Sequence, residues 1–388
     1  RVWAQCDLIS CPEHSGRMPT NRGAVCTKCA VHPQSSLVGV PTGLCCKQCP
    51  AHSASCTCYM DMHSEERLRR YPLVRNIFGT TPVAMKSAAT HLKENGWAVI
   101  GPIFGNRKVL AARKALFWKD VAAIPRYPRK KNPAKFPWAL PRGAVGYLLR
   151  GNNLPNGKFA WSVRQNKAIR KMFATIHDVK EPSAMCTAMD AVFMSVRGRK
   201  VKGLLLHRDM HKESEHVSFS QKSLSVQGIF TFTPVESHED AGTVLIPGSH
   251  KETRRGDDTK IPSKLQEYHR AQCIKPVVPA DHLLLFNSRT IHGSTPQLSD
   301  GPDSLTRLAV PVQFQPKSWR STATLEKKRK AYLDQRGSSA FPDDRFRLMN
   351  PNRGEYNFAS QQGYPCASCR IPPMLKGSKI PPEIDKLL

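Results

Sequence analysis

Acidic residues are scarce in this chain: 30 Asp and Glu stand against 59 Lys and Arg, leaving a formal charge of +29. Such a balance predicts a surface that draws polyanions: nucleic acid, an anionic or nucleoprotein assembly, or an acidic partner. Long apolar runs are missing too. No stretch approaches the roughly 18 to 20 residues that a bilayer-crossing helix requires, so no membrane span is expected. The opening "RVWAQCDLISC" has no apolar core of a secretory signal, and the expectation is a removed leader or an incomplete N-terminus. Homeodomain, RNA-recognition and helix-turn-helix signatures are absent, which removes sequence-specific reading through those modules. Aromatics reach only 7%, yet apolar residues make up 40% of 388, enough to build a core and to exclude global disorder.

What is present is unevenly spread. Nine of the 13 cysteines lie between residues 6 and 58, and "DMHSEERLRRYPLVRNIFG" follows as a polar, basic connector, which puts a boundary near residue 70. Basic residues also cluster: twelve Lys and Arg lie from Arg107 to Arg150 against the single acid Asp120, and "EKKRKAYLDQR" forms a second block. "TTPVAMKSAATHLKENGWAVIGPIF" reads as a helix running into a strand. Thr81 suits the N-cap and Pro82 the first turn; Met85, Ala88, Ala89 and Leu92 share a face, and Gly96 stops the helix before "WAVI". A second helix is expected over 106–122, and the Pro-rich, basic "PRYPRKKNPAKFPWALPRG" as an exposed loop.

From residue 185 the pattern changes to short strands between turns: "AVFMSVRG", "GLLLH", "SVQGIFTFTPV", "GTVLIPGS", "DHLLLFNS" and "RLAVPVQFQP". Many apolar strands without intervening helices describe a mainly β fold, a sandwich or jelly roll, with flanking helices. The domain reading is therefore 1–70 as a cysteine-rich module with its connector, 71–318 as the jelly-roll domain, and 319–388 as a basic helix and extended tail.

Five His-x-acid pairs occur, at His63/Glu65, His207/Asp209, His211/Glu213, His238/Asp240 and His250/Glu252, where composition alone supplies about one. The bare pattern is weak. Only His207/Asp209 comes directly off an apolar strand. His292 closes another, "DHLLLFNSRTIHGS", and Arg307 opens "RLAVPVQF". Two histidines and a carboxylate on neighbouring strands form the facial arrangement of a non-haem Fe(II) oxygenase. An Arg beyond them offers a planar fork for the distal end of a dicarboxylate.

"HRDMH", "DAGTVLIPGSHK", "DHLLLFNSRTIHGS" and "RLAVPVQF", in that order, resemble the phytanoyl-CoA dioxygenase family of Fe(II)/2-oxoglutarate-dependent oxygenases, over roughly residues 80–318. The resemblance implies a double-stranded β-helix. It implies that His207, Asp209 and His292 ligate iron, while Arg307 and Ser294 hold the cosubstrate's C5 carboxylate. A substrate hydroxylase or demethylase using O2 would follow. The "LSDGPDS" insertion between His292 and Arg307, the charge and the cysteine-rich head depart from the family, so the substrate does not carry over. Trp161 and Arg164 read either as cavity lining or as a Trp packed under an Arg, Gln227 as facing the cavity or an ordinary strand position, His211 and His216 as loop residues, and Gly242 and Gly248 as turn residues.

In the head, "CTKC" (Cys26, Cys29) and "CKQC" (Cys46, Cys49) have the spacing of a zinc ribbon. Cys6, Cys11, His32, Cys45, His52, Cys56 and Cys58 are candidate ligands of a second Zn2+. The rival reading is a disulfide-stapled knob; zinc fits a reducing compartment or a virion. Two other function classes fit parts of the chain: a virion or ribonucleoprotein assembly protein built on an oxygenase fold, and a zinc-dependent nucleic-acid-binding module without chemistry.

Overall fold

The computed structural model describes residues 68–123, 148–149, 154–197, 203–209, 225–252, 261, 263–299, 304–348 and 378–388. The cysteine-rich head, "CASC" and the loop after residue 123 lie outside the described residues, as do His63, His211 and His216. The chain divides into two units, 1–64 with Pro262–Gln272, and 65–261 with Cys273–Leu388. Of the first unit a helix at Ser263–Arg270 is described.

The second unit begins with β1 (Leu73–Val74), β2 (Ile77–Phe78), α1 (Pro82–Asn95), β3 (Trp97–Ile100), α2 (Arg107–Ala122) and β4 (Leu148–Leu149). It continues through α3 (Lys158–Arg164), α4 (Lys167–Ile176), β5 (Met185–Thr187), β6 (Val192–Val196), β7 (Val226–Thr231), β8 (Gly242–Leu245) and β9 (Lys275–Pro276). The last elements are β10 (His282–Asn287), β11 (His292–Thr295), β12 (Leu305–Val312), β13 (Phe314–Pro316), α5 (Thr322–Leu333) and α6 (Pro382–Asp385). Seven strands form one mixed sheet in the order β2-β3-β10-β7-β12-β6-β4, and β11 pairs with β8 in a second, two-stranded sheet. This sheet-rich fold with flanking helices fits a jelly-roll core.

Local sequence accounts for the elements that frame it. Thr81 caps α1, its hydroxyl accepting from the Ala84 N–H at 3.3 Å, and Gly96 ends the helix in the left-handed conformation at φ 79°. Met85, Ala88 and Leu92 are buried on one face. Asn106 caps α2 by accepting from Lys108 N–H at 2.8 Å.

The central strand explains how the layers divide. In β10 alternate side chains point to opposite faces, so Leu283 and Leu285 join the cluster of Leu92, Phe159, Phe230 and Val310 that the helices cover. Leu284 and Phe286 join Trp97, Val99, Ile229, Leu245 and Ala309 on the inner face. Each Leu, Val, Ile or Phe among them, fully buried, contributes about 1.5–3 kcal/mol. The inner face carries the site.

Four expectations are corrected. "GLLLH" is not a regular strand: residues 203–207 follow β11 with one bridge at His207, and Leu204 and Leu205 are 38% and 43% exposed. Gly242 begins β8, paired with Thr295, rather than a turn, and its close approach to Val235, where a Cβ would meet Cγ1 at 2.6 Å, is what calls for glycine; Gly248 is a true turn residue at φ 77°. Nor is the "EKKRK" block wholly a charged surface. Lys328 is fully buried and donates to Pro342 O at 3.2 Å, burial pushing it down to about 8, while Arg329 pairs with Asp385 at 2.8 Å. Nor is the C-terminus wholly an extended tail: Ile384, Leu387 and Leu388 of the last residues are buried in the helical cluster.

Candidate metal and cosubstrate site

Close approach of two chain segments builds the site. A Cβ on Gly203 would fall 2.0 Å from Ser294 O, and one on Gly293 2.7 Å from Leu204 O. Only glycine lets residues 203–207 press onto β11 this tightly. The register is then locked by His207 N–H to His292 O at 2.8 Å and His292 N–H to His207 O at 3.0 Å. As a result the two imidazole centroids lie 4.3 Å apart, and Phe286 packs against His292 at 4.5 Å.

Asp209 completes the group. Its N–H donates to Ser288 O at 3.0 Å, and its Oδ2 lies 3.2 Å from His292 Nε2 while Oδ1 lies 3.4 Å from His207 Nε2. One ligand atom from each of the three falls within 4.8 Å of the others, the one such group among the described residues. Arg208, between the two ligand candidates, is held by Glu252 at 2.7 Å.

The hydrogen bonds of the rings decide their tautomers. His207 Nδ1 lies 2.8 Å from Leu205 O and His292 Nδ1 3.0 Å from Thr290 O. A carbonyl only accepts, so each neutral ring must carry its proton on Nδ1, which leaves the Nε2 lone pairs facing Asp209. This is the orientation a divalent cation requires of imidazole ligands. The donor set, two neutral nitrogens and a carboxylate on one side of a space, fits Fe(II) with positions to spare. When a ring is protonated at both nitrogens its Nε2–H turns the same contact into attraction: burial opposes the charge on Asp209, but the pull of a protonated His292 and hydrogen bonds from the protonated rings hold the carboxylate well below its usual range. On His207, burial acts downward, and the Asp209 contact outweighs it to raise the ring above its ordinary value.

Arg307 lies on the same face of β12 as Ala309. It is 8% exposed, with its guanidinium 5.1 Å over the Phe193 ring. Burial pushes it down to about 10, so it stays cationic at neutral pH. No hydrogen bond or ion pair to the guanidinium occurs among the described residues. Lys275, fully buried, donates to the His238 and Asp240 carbonyls; burial first, opposed by Asp240 and aided by Arg307, lowers it to about 8. Two cations so placed make this interior electropositive. Ser294 Oγ accepts from Leu204 N–H at 2.8 Å, which leaves its own proton available to an anion.

Trp161, Arg164 and His250 are structural. Arg164 is fully buried, donates to Pro155 O and to Asp190 O at 2.8 Å, and stacks 5.5 Å from the Trp161 centroid. His250 contacts Lys93 O at 3.0 Å. Gln227 faces the site and donates to Asp209 Oδ2 at 2.7 Å; its parity with Ile229 is the sequence signal for that orientation. Ser288 gave no comparable signal, being a lone Ser after a strand.

A family model described as Phytanoyl-CoA dioxygenase (PhyH) matches residues 176–303. That stretch holds His207, Asp209, His292 and Ser294, and Arg307 lies just beyond it. No curated protein matches the chain. Among solved structures, the non-heme alpha ketoglutarate dependent carbocyclase SnoK from nogalamycin biosynthesis is similar at 15% identity and a TM-score of 0.45, covering 68% of this chain and 96% of that one. The epimerase SnoN of the same biosynthesis gives 14% and 0.43, with 70% and 100% covered. HygX from Streptomyces hygroscopicus, solved with nickel, 2-oxoglutarate and hygromycin B, gives 14% and 0.41, with 59% and 86% covered. By the family match, residues 176–303, about a third of the chain, are similar to the phytanoyl-CoA dioxygenase family.

Proposed function

We propose that this chain is an Fe(II)/2-oxoglutarate-dependent oxygenase, a hydroxylase or demethylase, and that its basic surface recruits it to a nucleic acid or nucleoprotein assembly. The observation that carries the first half is the pair of Nδ1-tethered imidazoles with Nε2 turned to one carboxylate. His207, Asp209 and His292 would hold the iron, and Arg307 with Ser294 would receive the remote carboxylate of 2-oxoglutarate. When bound, the metal and cosubstrate supply O2 activation coupled to decarboxylation, which inserts oxygen at a substrate C–H bond. The chain's own part is placement. The imidazoles are fixed by backbone carbonyls, the guanidinium is dry enough to favour an anion over water, and Phe286, Leu284 and Trp97 wall the inner face with apolar surface.

Anaerobic addition of Fe(II) and then 2-oxoglutarate to the purified chain tests this reading: a visible charge-transfer band from the chelated keto acid is expected. A well-folded protein that binds neither would leave the fold as a scaffold of the assembly class.

Recruitment is supported by the +29 charge and by exposed Arg107, Lys108, Arg113 and Lys119 on α2. Spacing alone supports zinc at Cys26, Cys29, Cys46 and Cys49. If phosphate contacts drive binding, affinity for a duplex fragment is expected to fall by about a thousandfold or more between roughly 50 and 200 mM salt. Salt-independent binding, or none at low salt, would remove the polyanion from the proposal.

A further inference from the structure

The carboxylate of Asp209 is held from behind by a buried polar column. Gln227 Nε2 donates to Asp209 Oδ2 at 2.7 Å and reaches Ser288 Oγ at 3.3 Å. Ser288 holds Asp209 a second time through its backbone carbonyl, at 3.0 Å. Its hydroxyl lies 3.1 Å from Ser225 Oγ, and Ser225 accepts from Gln313 Nε2 at 3.1 Å. Deeper still, Gln315, with its amide nitrogen toward Asp343, donates to Oδ2 at 2.8 Å and accepts from Arg345 at 2.8 Å and Gln313 at 3.2 Å. Ser225, Ser288, Gln315 and Asp343 are all fully buried.

We infer that Gln227 is a positioning residue, which clamps one oxygen of Asp209 so that the carboxylate meets an entering cation in a single orientation, with Ser288 and Ser225 anchoring the clamp. The inference rests on the iron reading above. The residue type fits the task. A Lys or Arg donor would compete with the metal for the carboxylate's charge, a Glu would repel it, and a Ser hydroxyl on β7 would fall short of Asp209. The neutral amide donates without adding charge to a site that must receive a dication. The column behind it is likewise built of amides and hydroxyls, and its first ionic members are Asp343 and Arg345, which pair with each other. Because Gln227, Ser288 and Ser225 are buried and linked to one another by hydrogen bonds, the clamp is set before any metal arrives.

Gln227→Met keeps length and volume and removes the donor. Metal-free wild type and variant are titrated anaerobically with Co(II), followed by its visible bands, alongside thermal unfolding of the metal-free proteins. Groups that orient a metal ligand are worth about 10–100-fold in metal affinity, and a weakening of the Co(II) Kd in that range is expected. Ser288→Ala, which loosens the anchor and keeps Gln227, is expected to weaken it by a smaller factor. A merely structural role would lower the unfolding midpoint and leave the Kd of the folded protein unchanged. Wild type that binds Co(II) beside variants with an unaltered Kd overturns the positioning role and leaves the iron reading standing. Wild type that binds no Co(II) overturns that reading and this inference with it. Should Gln227→Met fail to fold, the Kd of Ser288→Ala decides in the same way.

Discussion

Asp209→Ala is expected to abolish 2-oxoglutarate turnover and to weaken divalent-metal binding by more than about 100-fold, beyond what losing a group that only orients a ligand costs. Asp209 is the sole carboxylate of the three-residue group and sits between two imidazole nitrogens at 3.2 and 3.4 Å. Without it two neutral nitrogens remain, and nothing in the group offsets the charge of a dication. The backbone that carries it stays tied, since the link to Ser288 runs through the Asp209 N–H. The variant should therefore fold. Succinate formation and metal retained after dialysis are the measurements. An Asp209→Ala protein that still forms succinate at the wild-type rate would place the chemistry elsewhere.

Arg307→Met is expected to leave metal binding intact and to raise the 2-oxoglutarate concentration needed for half-saturation. Truncating one partner of a buried, hydrogen-bonded charge pair costs about 2–5 kcal/mol, which at about 1.4 kcal/mol per tenfold is roughly 30- to 4,000-fold. Arg307→Lys keeps the charge and loses the fork, so an intermediate value is expected. The side chain stacks on Phe193 and meets no carboxylate of its own among the described residues, which is why its loss should be felt by the ligand more than by the fold. Equal half-saturation in all three proteins would show that the cosubstrate's remote carboxylate is held by other residues, with Lys275 the next to test.

Much of this was legible from spacing. Thr81, Pro82 and Gly96 bracket α1 because caps are local chemistry, and "HLLLFN" is a strand because its apolar side chains satisfy both faces of a buried sheet. His207, Asp209 and His292 stand out because each follows such a run. The hidden part depends on distance along the chain. Gln227 and Ser288 are 61 residues apart, and Ser225 and Gln313 88 apart; a Ser or Gln in isolation announces no partner. The leucines of 203–206 mislead for the opposite reason. Three apolar residues look like a buried strand, but this segment lies along β11 with two glycines at the contact, and two of the leucines point outward.

The alternation in β10 has a consequence for how the protein can change. Leu283 and Leu285 support the helices, while Leu284 and Phe286 wall the inner face beside His292. Substitutions at odd positions therefore act on the robustness of the layer under the helices, and those at even positions on the apolar wall beside His292. Selection can reshape that wall through every second residue of one strand without loosening the layer behind it, whereas a shift of register by a single residue would exchange the two roles at once.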